Sequence, residues 1–132
     1  MNAGKILAMS GLLLATTLFS GEVLAADAEE GKVVFRKCIA CHSPEAGVNK
    51  MGPSLFGIFG KTPGTVESFA KRYSPAMKAF GADGAVWDEA TLDAYLASPR
   101  TTIPKNRMGF PGLKDATQRE NVIAYLKTLI DE

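Results

Sequence analysis

The sequence predicts a small all-α domain. Apolar residues recur at helical spacing in segments opened by Asp or Ser and closed by Gly or Pro. No stretch alternates apolar and polar residues for long enough to make a strand, and two Pro- and Gly-rich stretches separate the periodic segments. With no internal repeat and no linker composition, a single domain accounts for all of them.

Before that domain comes a leader. Lys5 precedes an apolar run from Ile6 to Phe19, which Ser10, Gly11, Thr16 and Thr17 interrupt, and Val23-Leu24-Ala25-Ala26 supplies small residues for cleavage. The run is shorter than the roughly 20 apolar residues of a membrane span. We therefore expect residues 1–26 to be a cleaved secretory signal and residues 27–132 to be the exported domain. The leader carries Lys5 and Glu22, so its removal leaves the formal net charge of +1 unchanged. In a near-neutral chain with no dense Lys/Arg tract and no aromatic stacking platform, nothing suggests a nucleic-acid binder.

Asp27 followed by Glu30 predicts an N-cap with a capping-box partner, and Val34, Phe35 and Cys38 continue that helix into Cys38-Ile39-Ala40-Cys41-His42. Ser43 to Gly64 is loop chemistry, rich in Gly and Pro, with Leu55, Ile58 and Phe59 as apolar anchors. A short helix is expected over Ser74 to Phe80, with Pro75 in its first turn and a break at Gly81 to Gly84. Asp88 caps a third helix with Leu92, Tyr95 and Leu96 on one face, ending near Ser98 because Pro99 cannot continue it. Thr101 to Gly112 is a second irregular stretch and holds Met108. Asp115 with Gln118 then opens the strongest helix, whose apolar face is Val122, Ile123, Tyr125, Leu126, Leu129 and Ile130.

The chemistry concentrates in C-I-A-C-H. Two thiols three positions apart, followed at once by an imidazole, form the attachment pattern of a c-type haem. On one turn both sulfurs can add to the vinyl groups of a single haem, and His42 can ligate its iron. These are the only two cysteines and the only histidine of the chain. Structural zinc wants four ligands where three soft ones exist. A thioredoxin-like pair wants a βαβ setting, and a plain disulfide leaves the adjacent histidine unexplained.

A six-coordinate haem needs a second axial ligand, and with no other histidine a methionine thioether is the natural candidate. Met51 lies only nine positions after His42, too near to reach the opposite face easily. Met77 falls on a predicted helix, where packing is its ordinary role, whereas Met108 stands on a Pro/Gly-bounded loop able to wrap a second face. Met108 is favoured over Met77.

From Asp27 onward the chain resembles the small monohaem class I cytochromes c of bacterial and mitochondrial kind. The resemblance rests on Gly31 and Phe35, C-I-A-C-H, Gly52-Pro53-Ser54-Leu55, Trp87 with Tyr95-Leu96, Pro99, Ile103-Pro104, Met108-Gly109-Phe110 and Val122-Ile123-Ala124-Tyr125-Leu126. It implies the class I fold, in which N- and C-terminal helices cross and loops wrap one haem c held covalently through Cys38 and Cys41. It implies His42 and Met108 as iron ligands and the Pro53 carbonyl as acceptor for the His42 Nδ1 proton. Tyr73 and Trp87 would donate to a propionate, and Tyr95 would sit near the Met108 sulfur. Gly31 and Phe35 would cross Val122 and Tyr125.

By the same resemblance the protein would be a periplasmic one-electron carrier and not an enzyme, and it is expected to be monomeric. A ring of Lys37, Lys50, Arg100, Arg107 and Lys114 would steer its exposed haem edge to acidic sites on redox partners. Candidate partners are a cytochrome bc complex, a photosynthetic reaction centre, a terminal oxidase or a periplasmic dehydrogenase, with only transient contact to membrane complexes. A haem enzyme or gas sensor would instead need an open sixth position, and a zinc-bound interaction module would carry no haem at all. The chain departs from the family in having Lys105-Asn106-Arg107 where Gly-Thr-Lys is usual, Lys61 for a common Arg and Phe56 for a common His. The hydroxyl that ordinarily bonds a propionate is therefore absent.

Overall fold

The computed structural model describes residues 25–130, so all but the last two positions of the expected leader lie outside the described residues. The elements are α1 (Ala28–Phe35), a 3-10 turn (Glu67–Phe69), α2 (Pro75–Ala82), α3 (Glu89–Ala97), α4 (Pro99–Thr102) and α5 (Ala116–Lys127). No strand occurs among the described residues, as the missing alternation predicts. None of their helices is long and apolar enough to cross a membrane.

Four helices begin where a side-chain oxygen can take the first free N–H groups. Asp27 accepts from Glu29 and Glu30, Ser74 from Met77, Asp88 from Thr91 and Asp115 from Gln118. Each such cap contributes about 1 kcal/mol. The capping box expected of Glu30 does not form, because the Asp27 N–H donates instead to Asn121 Oδ1 on α5 at 2.8 Å. The start of α1 is thus stitched to the middle of the helix it crosses. Asn121→Ala removes that acceptor and should cost about 1 kcal/mol in a denaturant unfolding experiment.

Four further boundaries differ from expectation. First, α1 ends at Phe35, after which Arg36, Lys37 and Cys38 donate three residues back, to Val33, Val34 and Phe35. The chain tightens there and carries the thiols off the helix. Second, α2 runs through Gly81, which lies buried against Pro63; a Cβ at Gly81 would be driven into the Pro63 carbonyl. The turn falls at Gly84, with φ +97°. Third, Pro99 both ends α3 and opens α4, so the stretch expected to be irregular starts with a helical turn. At the far end, α5 stops at Lys127 and leaves Ile130 58 % exposed, outside the core.

The core is Phe35, Ile58, Trp87, Leu92, Tyr95, Ile103, Leu113, Val122, Ile123 and Leu126. Its centre is the crossing of α1 and α5. A Cβ on Gly31 would run into the Asn121 carbonyl and stand 2.9 Å from Tyr125 Cβ, so the two backbones meet because residue 31 has no side chain. One turn further, Phe35 and Tyr125 pack with ring centroids 5.2 Å apart. An Arg119–Asp93 ion pair at 2.6 Å ties α5 to α3. Against this core lie half-buried apolar side chains, among them Cys38, Leu55, Phe59, Met77, Phe80, Met108 and Phe110.

Candidate functional site

The tightened turn after α1 builds the first half of the site. The N–H groups of Cys41 and His42 both donate to the Cys38 carbonyl, at 3.0 and 2.8 Å, which gathers both thiols and the imidazole on one turn. Both cysteines are half-buried and unpaired. Burial raises the Cys38 thiol above its ordinary range, with the neighbouring Cys41 adding and Lys37 opposing.

His42 is held from behind. Its Nδ1 lies 2.7 Å from the Pro53 carbonyl oxygen, which can only accept, so the proton sits on Nδ1 and the Nε2 lone pair is free. Burial lowers the imidazole below its ordinary range; the Pro53 bond opposes this and Lys50 adds to it. The neutral ring that results is the ligating form. Gly52 lies flat against that ring: a Cβ there would stand 2.7 Å from Nδ1 and 2.9 Å from Nε2. The Gly52 N–H in turn donates to the Cys41 carbonyl at 2.7 Å. Ser54 closes the loop by donating from Oγ to the Glu45 carbonyl and by accepting from Phe56 N–H.

Met108 occupies the second irregular stretch, half-buried, with the Tyr95 hydroxyl 3.7 Å from its sulfur. Burial pushes that hydroxyl's pKa far above the ordinary range of tyrosine, so it stays a donor. Tyr95 in turn packs at a tilt against Trp87, with ring centroids 5.0 Å apart. Of the other methionines, Met51 is 75 % exposed and Met77 sits on α2, packed against the core. Tyr73 is not in this aromatic chain; it packs edge-on against Phe69 at 5.0 Å. Arg107 spans to this segment, donating to the Arg72 carbonyl at 3.0 Å and to the Tyr73 carbonyl at 3.5 Å.

Asn106 stands where the family's hydroxyl would be, and it is spent within its own loop. Its Nδ2 donates to the Pro99 and Ile103 carbonyls at 2.9 and 2.8 Å, and its Oδ1 accepts from the Met108 N–H at 2.8 Å. The amide is therefore not a replacement donor to a propionate. Sequence reasoning passed over this clasp, and over Asn121, because an Asn offers no periodic signal. Gly52 was visible only as part of Gly52-Pro53.

The donor set fits a haem c. Two free thiols on one turn, an imidazole with Nε2 available and a thioether on a separate loop match the two vinyl groups and two axial positions of that group. The close approach of Gly52 leaves room for the ring of His42 and for nothing larger on that side. A zinc site finds no counterpart, since no group of three or more His, Cys, Asp or Glu side chains gathers among the described residues. An open surface cleft of about 760 Å³, lined by Ser54, Phe56, Lys61, Glu67 and Ile130, includes neither His42 nor Met108.

Comparison with known proteins agrees with the geometry. The family described as cytochrome c oxidase, cbb3-type, subunit III, matches residues 26–97. Cytochrome c2 iso-2 of Magnetospirillum molischianum is 50 % identical over 104 residues, covering 79 % of this chain and 99 % of its own. Cytochrome c2 of Rhodospirillum rubrum is 40 % identical over 130 residues, covering 91 % and 94 %. Among solved structures, cytochrome cH from Methylobacterium extorquens superposes with a TM-score of 0.68 at 36 % identity, over 78 % of this chain and 99 % of that one.

Proposed function

The chain belongs to the class I monohaem cytochromes c, electron carriers rather than enzymes, and from that premise we propose that it is a soluble periplasmic shuttle with His42/Met108 ligation. Cys38 and Cys41 would hold the haem covalently, His42 Nε2 and Met108 Sδ would ligate its iron, and Tyr73 and Trp87 would donate to a propionate. When bound, the haem supplies one-electron chemistry through its iron.

The chain's own residues do the rest. Pro53 fixes the His42 tautomer and raises the basicity of Nε2. The thioether of Met108, with the Tyr95 hydroxyl beside it, would favour the reduced state and raise the potential. With His42 and Met108 both on the iron, no position would be left open for a small molecule. The observation that carries this reading is the carbonyl-anchored His42 on the same turn as two free thiols.

Docking falls to the exposed cations Lys37, Lys50, Arg100, Arg107 and Lys114. Among the described residues Lys37, Lys50, Arg107 and Lys114 bond neutral oxygens, of Gln118, Ile39, Arg72 and Ala97, and none bonds a carboxylate. Their charge remains available to an acidic partner surface. A cytochrome bc complex, a reaction centre, a terminal oxidase or a periplasmic dehydrogenase would each suit this face. Export would follow cleavage of residues 1–26.

The test is a potentiometric titration of the holoprotein with carbon monoxide binding to its ferrous form. A single one-electron transition at positive potential and no binding of carbon monoxide on mixing is the expected result. Ready binding would replace the carrier by a ligand-binding haem protein.

A further inference from the structure

The loop that carries Met108 departs from its family's pattern at Lys105, Asn106 and Arg107, and the first two of these differences act against each other. Lys105 has φ +66°, the only positive φ outside glycine among the described residues. A side chain there is strained, because its Cβ crowds the carbonyl that follows. Left alone, the turn between α4 and Met108 would relax to a negative φ and take the Met108 backbone with it.

Asn106 opposes that relaxation from both ends. Its Nδ2 is shared between the carbonyls of Pro99 and Ile103, the first and the capping residue of α4, and its Oδ1 takes the Met108 N–H. The Asn106 N–H adds a bond to the Ile103 carbonyl at 3.1 Å. One side chain thus links the fixed end of the loop to the thioether residue, across the strained position.

We propose that Asn106 is a positioning residue whose clasp keeps Met108 in place against the strain at Lys105, and so sets how readily an outside ligand displaces the thioether. The proposal rests on Met108 being the sixth ligand. An external ligand binds only molecules in which the thioether has swung away, so its apparent affinity scales with that open fraction. Loosening the clasp enlarges the fraction, and relieving the strain reduces it.

The experiment is an imidazole titration of the ferric holoprotein, followed by loss of the weak far-red sulfur-to-iron band, for wild type, Asn106→Ala, Lys105→Gly and the double variant. Asn106→Ala should bind imidazole about tenfold more tightly, the effect of losing roughly one net hydrogen bond. Lys105→Gly should bind about fivefold more weakly, since glycine adopts the same φ without strain. The double variant should return to within about threefold of wild type. Asn106→Ser keeps a hydroxyl oxygen able to accept from the Met108 N–H and is too short to reach the α4 carbonyls, so it should fall between wild type and Asn106→Ala, and it serves if Asn106→Ala does not fold.

A lowered melting temperature with unchanged imidazole affinity would reduce Asn106 to a merely structural residue and overturn the proposal. So would a Lys105→Gly variant that binds imidazole more tightly. If wild type itself lacks the far-red band, the ligation reading fails first, and the proposal falls with it.

Discussion

Gly31→Ala should destabilise the protein by about 3 kcal/mol or more, an effect large for the addition of one methyl group. The new carbon would be driven into the Asn121 carbonyl and would press on Tyr125 Cβ, both parts of α5 that cannot swing aside. Alanine's helix propensity gains about 1 kcal/mol over glycine, which is too little to offset the clash. Relief requires α1 and α5 to separate, which would also pull apart the Phe35–Tyr125 ring contact and the Asp27–Asn121 bond. Denaturant unfolding of wild type and variant at equal haem content measures the difference. A loss under about 1 kcal/mol would mean that the crossing adapts, contrary to the tight contact described.

Gly52→Ala should act on the site itself. Its Cβ would stand 2.7 Å from His42 Nδ1, on the atom that donates to Pro53, so either the loop or the ring must move. Either movement lengthens the Nδ1 hydrogen bond that fixes the ring. Losing a partner of this kind weakens metal ligation about 10- to 100-fold. The ferric holoprotein at neutral pH should then show a substantial high-spin fraction where wild type is low-spin. An unaltered low-spin spectrum would show that the Gly52 backbone is free to retreat from the imidazole.

What could be read in the sequence is what depends on neighbours along the chain. Asp27, Ser74, Asp88 and Asp115 cap helices because their side chains reach N–H groups two or three residues on, a local geometry that any context preserves. Cys38, Cys41 and His42 come onto one turn for the same reason. What could not be read depends on distant partners. Glu30 lost its expected place to Asn121 because the helix crossing brings an amide from the far end of the chain to the Asp27 N–H. Gly81 signals a break, yet α2 continues through it because Pro63 packs where a side chain would stand.

The candidate site divides in the same way. The resemblance named Pro53 and Tyr95, and the structure places Pro53 on Nδ1 of His42 and the Tyr95 hydroxyl beside the Met108 sulfur. Asn106 lay at a departure from the family pattern, where a missing hydroxyl was noticeable but the clasp was not. Its partners Pro99 and Ile103 become accessible only because Pro99 opens α4 rather than merely ending α3. A single proline carrying both roles is invisible to a rule that reads it as a stop.

The far-red spectrum of the ferric holoprotein, matured where haem is attached and compared between wild type and Met108→Ala, tests the account most directly. A weak sulfur-to-iron band present in wild type and absent in the variant is the predicted result, with His42 and Met108 as the ligands of a one-electron carrier. A wild-type haem spectrum without that band, or a band that survives in Met108→Ala, would contradict the assignment of Met108.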